Sequence, residues 1–262
     1  MNYGLMKLPR NRVRRNYLGG AGIDRLHGES VCRDNDQPEE WVGSMVEAVN
    51  PGMEPVDKEG LAKVETEDGE FFLRDLVDRS RKYYLGDSIH KDGTWQLSFL
   101  LKILDSAMRL HVQVHPTTQF ANEVMGKPYG KLECYYILKV REGIDPYIRL
   151  GFQHAPTRED WKAIVEAQNM EKMDACFEKI PVKPGEVWYI PGGIAEQLTG
   201  IKGWLLRGLS EWINFETSSF PTPDSPNNMT GLLVEAMVEH SQRRACICGL
   251  VQIIFVSVEL QR

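Results

Sequence analysis

The chain has 262 residues, of which 42% are hydrophobic and 26% are charged, and its formal net charge at pH 7 is −6. These values are typical of a globular protein with one large domain or two modest ones. The acidic balance argues against general nucleic-acid binding, which uses a basic surface, and no apolar stretch approaches the roughly 18 residues of a membrane helix.

Short strands separated by turns are predicted for the first hundred residues, where Pro and Gly recur at short intervals. The basic start up to Arg12 is typical of a solvated strand, and residues 38–49 (PEEWVGSMVEAV) indicate another. Residues 71–86 predict a helix that ends at Gly86. Residues 97–116 predict two strands joined by a turn at 105–107.

The second half predicts two helices among further strands. Residues 117–126 can be capped by Thr117 or Thr118, and residues 157–180 form the clearest helix, with Thr157 as N-cap. Strands are predicted at 131–140, on both sides of a turn within 181–198, and at 203–217, and a β-rich tail closes the sequence at 249–260.

Many short strands and few helices favour a mainly β fold, either a sandwich or a closed barrel, with the helices at 117–126 and 157–180 on its outside. A mixed α+β domain is the alternative. Glu39 and Glu40, on the strand at 38–49, could face a neighbouring lysine or solvent, and solvent is the default expectation.

The five cysteines are Cys32, Cys134, Cys176, Cys246 and Cys248, a scattered and odd set that does not indicate a disulfide framework. The close pair at 246 and 248 has no second pair to complete a metal site, so a packing role is favoured. The first twenty residues lack the apolar block of a secretory signal. We therefore predict a cytoplasmic protein.

Polar side chains alternate along the run HVQVH at 111–115. Strand geometry sends every second side chain to one face, so Gln113 and His115 can point into a common space. A divalent metal needs three or four such nitrogen or oxygen donors. Glu133, at the start of the next strand, and Glu196 are the further candidate ligands, and Lys131 shares the face of Glu133.

Several motifs in order resemble the type I phosphomannose isomerases, metal-dependent enzymes of the cupin superfamily. The similarity runs from about residue 7 to about 217. The segments that carry it are YLGG at 17–20, PEEWVGSM at 38–45, FLLKILDSAMRLHVQVHP at 99–116, GKLECYYIL at 130–138, and VKPGEVWYIPGG at 182–193. The fourth of these is similar to the family's Gly-Lys-X-Glu-X-Trp-Tyr strand, and the last to its second cupin motif.

The resemblance implies a cupin-like double-stranded β-helix, or jelly-roll barrel, over residues 1–216. Residues 217–262 do not resemble the family and are interpreted as an atypical C-terminal segment, an incomplete second cupin unit.

The resemblance also implies site residues. Gln113, His115 and Glu133 correspond to three of the family's four zinc ligands, and the fourth, a histidine, is Glu196 here. A carboxylate at that position would shift the preference towards harder ions, or it marks a weakened site.

Two catalytic residues follow from the same comparison. Lys131 matches a family lysine, whereas the family's catalytic arginine is replaced by Asn214, so Arg207 is the predicted substitute. Lys102, Lys202 and Arg207 are the candidates for binding a phosphate.

The implied activity is a metal-dependent aldose–ketose isomerase that interconverts mannose 6-phosphate and fructose 6-phosphate with zinc or another divalent ion. The implied partner is a small sugar phosphate. The alternative is a degenerate cupin that binds a sugar or a partner without turnover. Metal content and turnover discriminate between the two.

Overall fold

A computed structural model describes residues 6–86, 99–126, 130–199 and 201–208; for 99, 198–199 and 201–208 it describes the backbone alone. The described chain is mainly sheet. Its twelve strands are β1 Arg12–Val13, β2 Glu39–Val42, β3 Lys63–Thr66, β4 Gly69–Phe72, β5 Phe99–Asp105, β6 Gln113–Val114, β7 Leu132–Val140, β8 Tyr147–Leu150, β9 Ile180–Pro181, β10 Val187–Ile190, β11 Ala195–Thr199 and β12 Ile201–Gly208.

The described helices are short. They are α1 Ala21–Leu26, α2 Leu73–Arg79, α3 Arg81–Leu85, α4 Thr118–Glu123, α5 Arg158–Glu166 and α6 Met170–Ala175. Within the described ranges, no helix is both long enough and apolar enough to span a bilayer.

Two antiparallel sheets form the body of the fold. The larger has six strands in the order β1-β2-β5-β12-β7-β10, and the smaller has four in the order β6-β11-β8-β9. A two-stranded ribbon, β3-β4, stands apart from both. Because β12 pairs with both β5 and β7, a strand late in the chain joins two earlier parts of the large sheet.

The main core lies between the two sheets. Leu104, Tyr135 and Ile190 from the large sheet are clustered with Ile148 from the small one. A second cluster covers the other face of the small sheet, where Val114 and Ala195 contact Trp161 of α5 and Phe177. This arrangement leaves the inner faces of both sheets available to line a common site, which β6, β7 and β11 build.

The prediction of a mainly β fold is confirmed at the level of two sheets with few helices. The predicted helices at 117–126 and 157–180 begin where expected, since Thr117 and Thr157 each accept a hydrogen bond from the backbone three residues on. The prediction of one continuous helix over 157–180 is wrong. Gln168 has φ 48, a left-handed conformation that ends α5, and Asn169 then caps α6.

Other element boundaries differ from the predictions as well. The helix at 71–86 divides at Ser80, which serves as C-cap of α2 and N-cap of α3. Only Glu39–Val42 of the strand predicted at 38–49 is paired. The sequence patterns also gave no sign of α1. The predicted tail and Cys246 and Cys248 lie outside the described residues.

Candidate metal centre

Three buried side chains meet between the sheets. His115 directly follows β6, Glu133 lies near the start of β7, and Glu196 lies in β11. Each offers one ligand atom, and these atoms all lie within 4.8 Å of one another. The structure thus brings together residues separated by up to 81 positions in the sequence (196 − 115 = 81).

The strands position these residues through ordinary β periodicity. In β7, buried and partly exposed residues alternate, so Glu133, Tyr135 and Ile137 all face the interior. Across the small sheet, Glu196 is the register partner of Gln113. Directly opposed residues have side chains on the same face, so Gln113, which is half-buried, lies beside Glu196.

The imidazole of His115 contacts both carboxylates through one nitrogen. Its Nε2 lies 2.9 Å from Glu133 Oε1 and 3.2 Å from Glu196 Oε1. The two Oε1 atoms therefore converge on the same side of the imidazole. One nitrogen and two carboxylate oxygens form the kind of mixed donor set that divalent first-row metals accept.

The other two carboxylate oxygens face Tyr135. Its hydroxyl donates a hydrogen bond to Glu133 Oε2 at 2.8 Å and also contacts Glu196 Oε2. Tyr135 was missed in the sequence analysis. The signal that could have found it is its spacing, two residues beyond Glu133 in a strand with strict alternation.

Lys131 lies close to the same point. Its Nζ is 3.0 Å from Glu133 Oε1 and 3.2 Å from both ring nitrogens of His115. One ammonium can offset the charge of only one carboxylate, so the two carboxylates together, when ionised, favour a further cation at this site.

Burial raises the pKa of the Glu196 carboxyl, and the neighbouring Glu133 carboxylate raises it further, while contacts with His115 lower it. Glu196 Oε1 is buried and lacks a well-formed hydrogen bond, its contact being His115 Nε2 at 3.2 Å. A poorly satisfied buried carboxylate oxygen is costly, and a bound cation removes that cost. On these grounds, the donor set fits a divalent metal ion.

The turn at Pro191–Gly193 holds His115 in place. Gly193 N donates a hydrogen bond to His115 O at 2.6 Å, and Lys131 N donates one to Pro116 O at 2.9 Å. Gly192 packs so tightly that a Cβ added to it would lie 2.5 Å from Pro116 O, which is a backbone atom. A residue without a side chain is therefore required at position 192.

We expect Gly192→Ala to displace the backbone at His115 and to weaken divalent-metal binding, with a loss of about 1–3 kcal/mol in the free energy of unfolding. Chemical denaturation and metal titration of the purified variant measure the two effects. Gly185→Ala is the control, because nothing lies within 4 Å of a Cβ there. That control can lose stability but should keep its metal affinity, and equal affinity in both variants would contradict the role assigned to the turn.

Glu39 and Lys102 form a second buried polar cluster, and the expectation that Glu39 and Glu40 face solvent is wrong. Lys102 Nζ lies 2.7 Å from Glu39 Oε1, and both side chains are almost fully buried. Tyr17 and Trp41 donate further hydrogen bonds to the Glu39 carboxylate. Glu40 is also buried, 2.8 Å from His27 Nε2.

Two predicted phosphate ligands lie in β12, where only the backbone is described. Arg207 is the register partner of Glu133 on one side and of Leu100 on the other. Lys202 pairs with Asp105, at the other end of the strand. Asn214 lies outside the described residues.

The sequence matches one family model, described as the catalytic domain of type I phosphomannose isomerase, over residues 55–132. It is 35% identical over 112 residues to the protein named "Probable mannose-6-phosphate isomerase GmuF" of Bacillus subtilis (strain 168), covering 43% of this chain and 33% of that protein. It is 38% identical over 94 residues to mannose-6-phosphate isomerase of Streptococcus mutans, covering 36% of this chain and 28% of that protein. The alignments thus span about a third or less of these relatives.

The fold has a counterpart among solved structures. Mannose 6-phosphate isomerase from Bacillus subtilis superposes with a TM-score of 0.61 at 20% sequence identity, over 94% of this chain and 71% of that chain. The two-sheet architecture of the described residues therefore has a counterpart in that structure.

Proposed function

We propose that the chain is a metal-dependent aldose–ketose isomerase acting on mannose 6-phosphate and fructose 6-phosphate, on the basis of its similarity to type I phosphomannose isomerases. The observation that carries the proposal is the convergence of His115, Glu133 and Glu196 within 4.8 Å between two sheets. In this proposal the two sheets are the walls of a cupin-like jelly-roll barrel.

Gln113, His115, Glu133 and Glu196 are the proposed ligands of a divalent ion, zinc or a harder ion such as manganese. The half-burial of Gln113 and its pairing with Glu196 support its inclusion. When bound, the ion would act as a Lewis acid towards the oxygens of the sugar. Two carboxylates among the ligands favour oxygen-preferring ions more than a site with two histidines would.

The reaction moves a proton from C2 of the open-chain aldose to C1 through an enediol, so negative charge develops on a sugar oxygen. Lys131 is the proposed group that polarises this oxygen or assists the proton transfer, because its ammonium lies within 3.2 Å of the His115 ring. The walls of the site are buried, which strengthens this electrostatic effect by excluding water.

Arg207 remains the proposed second catalytic residue and a proposed contact for the phosphate, and Lys202, at the other end of β12, is a separate candidate for that contact. The register position of Arg207 beside Glu133 supports a place near the ligands. Lys102 is a weaker proposal for the phosphate, because its ammonium already has a buried partner in Glu39.

The proposed partner is a small sugar phosphate, and the proposed location is the cytoplasm. The scattered, odd set of five cysteines in the sequence supports the proposed location.

Elemental analysis combined with an isomerase assay tests the proposal. We expect about one divalent ion per chain after purification with added metal, and conversion of mannose 6-phosphate to fructose 6-phosphate in a coupled assay. Bound ion or bound sugar phosphate without turnover would instead support the non-catalytic cupin, and absence of any bound ion would contradict the metal site.

The variant Glu196→His tests whether Glu196 contributes a ligand. We expect it to keep or tighten zinc binding while manganese binding weakens, because imidazole suits zinc better than it suits harder ions. Competition with a chromogenic chelator measures both affinities. Unchanged affinities for both ions would show that Glu196 does not contact the metal.

A further inference from the structure

The two glutamates of the candidate metal centre use their oxygens in different ways. The Oε1 atoms of Glu133 and Glu196 face His115 Nε2, at 2.9 and 3.2 Å. The Oε2 atoms of the same residues both contact the hydroxyl of Tyr135, which is itself buried. The four carboxylate oxygens therefore form two pairs: the inner pair, the Oε1 atoms, faces His115, and the outer pair, the Oε2 atoms, faces the phenol of Tyr135.

We propose that Tyr135 is a positioning residue whose hydroxyl orients both carboxylates so that their Oε1 atoms and His115 Nε2 face a single cation. The inference rests on the metal site of the proposed function. Without the hydroxyl, either carboxylate could rotate about its terminal bond and turn its inner oxygen away from the ligand point. Groups that hydrogen-bond to metal ligands from behind usually set the orientation of those ligands in this way.

The chemistry of Glu196 gives a second reason to link it with Tyr135. A glutamate brings two buried oxygens, and its Oε2 contacts the Tyr135 hydroxyl. The hydroxyl carries one proton, which the Oε2 atoms of Glu133 and Glu196 share, so the phenol ties the two carboxylates together.

The decisive experiment measures metal affinity and leaves turnover aside. We expect Tyr135→Phe to weaken manganese and zinc binding by about 10- to 100-fold, the range typical for loss of a supporting hydrogen bond. Tyr136→Phe is the matched control, since Tyr136 is the next residue of β7 and its side chain points to the other face of the sheet. Chelator competition gives the affinities, and melting with EDTA shows that each variant is folded.

Repeating Tyr135→Phe in the Glu196→His variant tests whether Tyr135 and Glu196 act together. In Glu196→His, we expect Tyr135→Phe to cost a smaller factor in zinc affinity, because only Glu133 still depends on the phenol. The double variant with Tyr135→Trp and Glu196→His removes the phenol and the second carboxylate together, and we expect it to lose less zinc affinity than Tyr135→Phe alone. If Tyr135→Phe alone fails to fold, the same substitution in the Glu196→His variant keeps the test open.

The outcomes separate this inference from the proposed activity. Wild-type affinity in Tyr135→Phe, an equal loss in Tyr136→Phe, or the same loss in both backgrounds would overturn the positioning role, and so would a wild-type chain that binds no divalent ion. A chain that binds metal in a Tyr135-dependent manner but does not convert mannose 6-phosphate would retain the positioning role and lose the isomerase proposal.

Discussion

A Glu133→Gln variant is expected to lose divalent-metal binding and isomerase turnover together, while its metal-free form stays folded. The carboxylate supplies a ligand oxygen 2.9 Å from His115 Nε2 and is fully buried. The loss in affinity should exceed the roughly 10- to 100-fold range that removal of a supporting hydrogen bond costs. Isothermal titration with manganese and zinc measures it directly.

The metal-free form should remain stable because the amide keeps the shape of the side chain and removes the repulsion between Glu133 and Glu196. We expect its melting temperature in EDTA to lie within about 4 °C of the wild-type value. Glu142→Gln, an exposed position just beyond β7, is the control and should change neither property. Full metal occupancy in Glu133→Gln would remove Glu133 from the ligand set.

Replacement of Glu39 by glutamine is expected to destabilise the fold by about 3–5 kcal/mol, the cost typical of leaving a buried charge without its counter-ion. Glu39 Oε1 lies 2.7 Å from Lys102 Nζ and 3.7 Å from Arg15 Nε, and all three side chains are buried. Two cations would therefore lose one shared anion. Urea denaturation at neutral pH measures the change in the free energy of unfolding.

Glu65→Gln provides the comparison for this result. Glu65 pairs with Lys7 at 2.7 Å, but both side chains are exposed, so the expected change is within about 1 kcal/mol. If Glu39→Gln were as mild as Glu65→Gln, the buried cluster would contribute little to the stability of the fold. A loss of metal binding in folded Glu39→Gln would link the cluster to the candidate metal centre.

The juxtaposition of His115, Glu133 and Glu196 was expected from the resemblance to a known family, since strand alternation by itself specifies only which residues of one strand share a face. Strand alternation places Tyr135 on the face of Glu133, but it does not indicate a polar role, since an aromatic residue in an apolar strand is usually a packing residue. Its role depends on the distance between two strands from different sheets. The burial of Glu39 was mispredicted for a similar reason, as its cationic partner lies 63 positions away (102 − 39 = 63).

Turn residues in the sequence predicted the strand-rich fold class, and N-cap residues predicted where α4 and α5 begin. The end of α5 was not predicted, because Gln168 adopts a left-handed conformation for which glutamine has no intrinsic preference. The hydrophobic periodicity of the sequence did not predict helix α1 either. Its Gly22 N donates a hydrogen bond to Asp105 Oδ2 in a distant strand, so tertiary contacts stabilise a segment with weak local propensity.

The position of β12 has a consequence for biosynthesis. β12 is the latest of the described strands in the chain, yet it lies between β5 and β7 in the large sheet. In a nascent chain, β5 and β7 therefore lack the strand that joins them until residues 201–208 have left the ribosomal exit tunnel. Until then, β1, β2 and β5 form one part of the sheet and β7 and β10 form another. During that interval two strand edges are exposed, and such edges are the places where a folding intermediate recruits chaperones or aggregates.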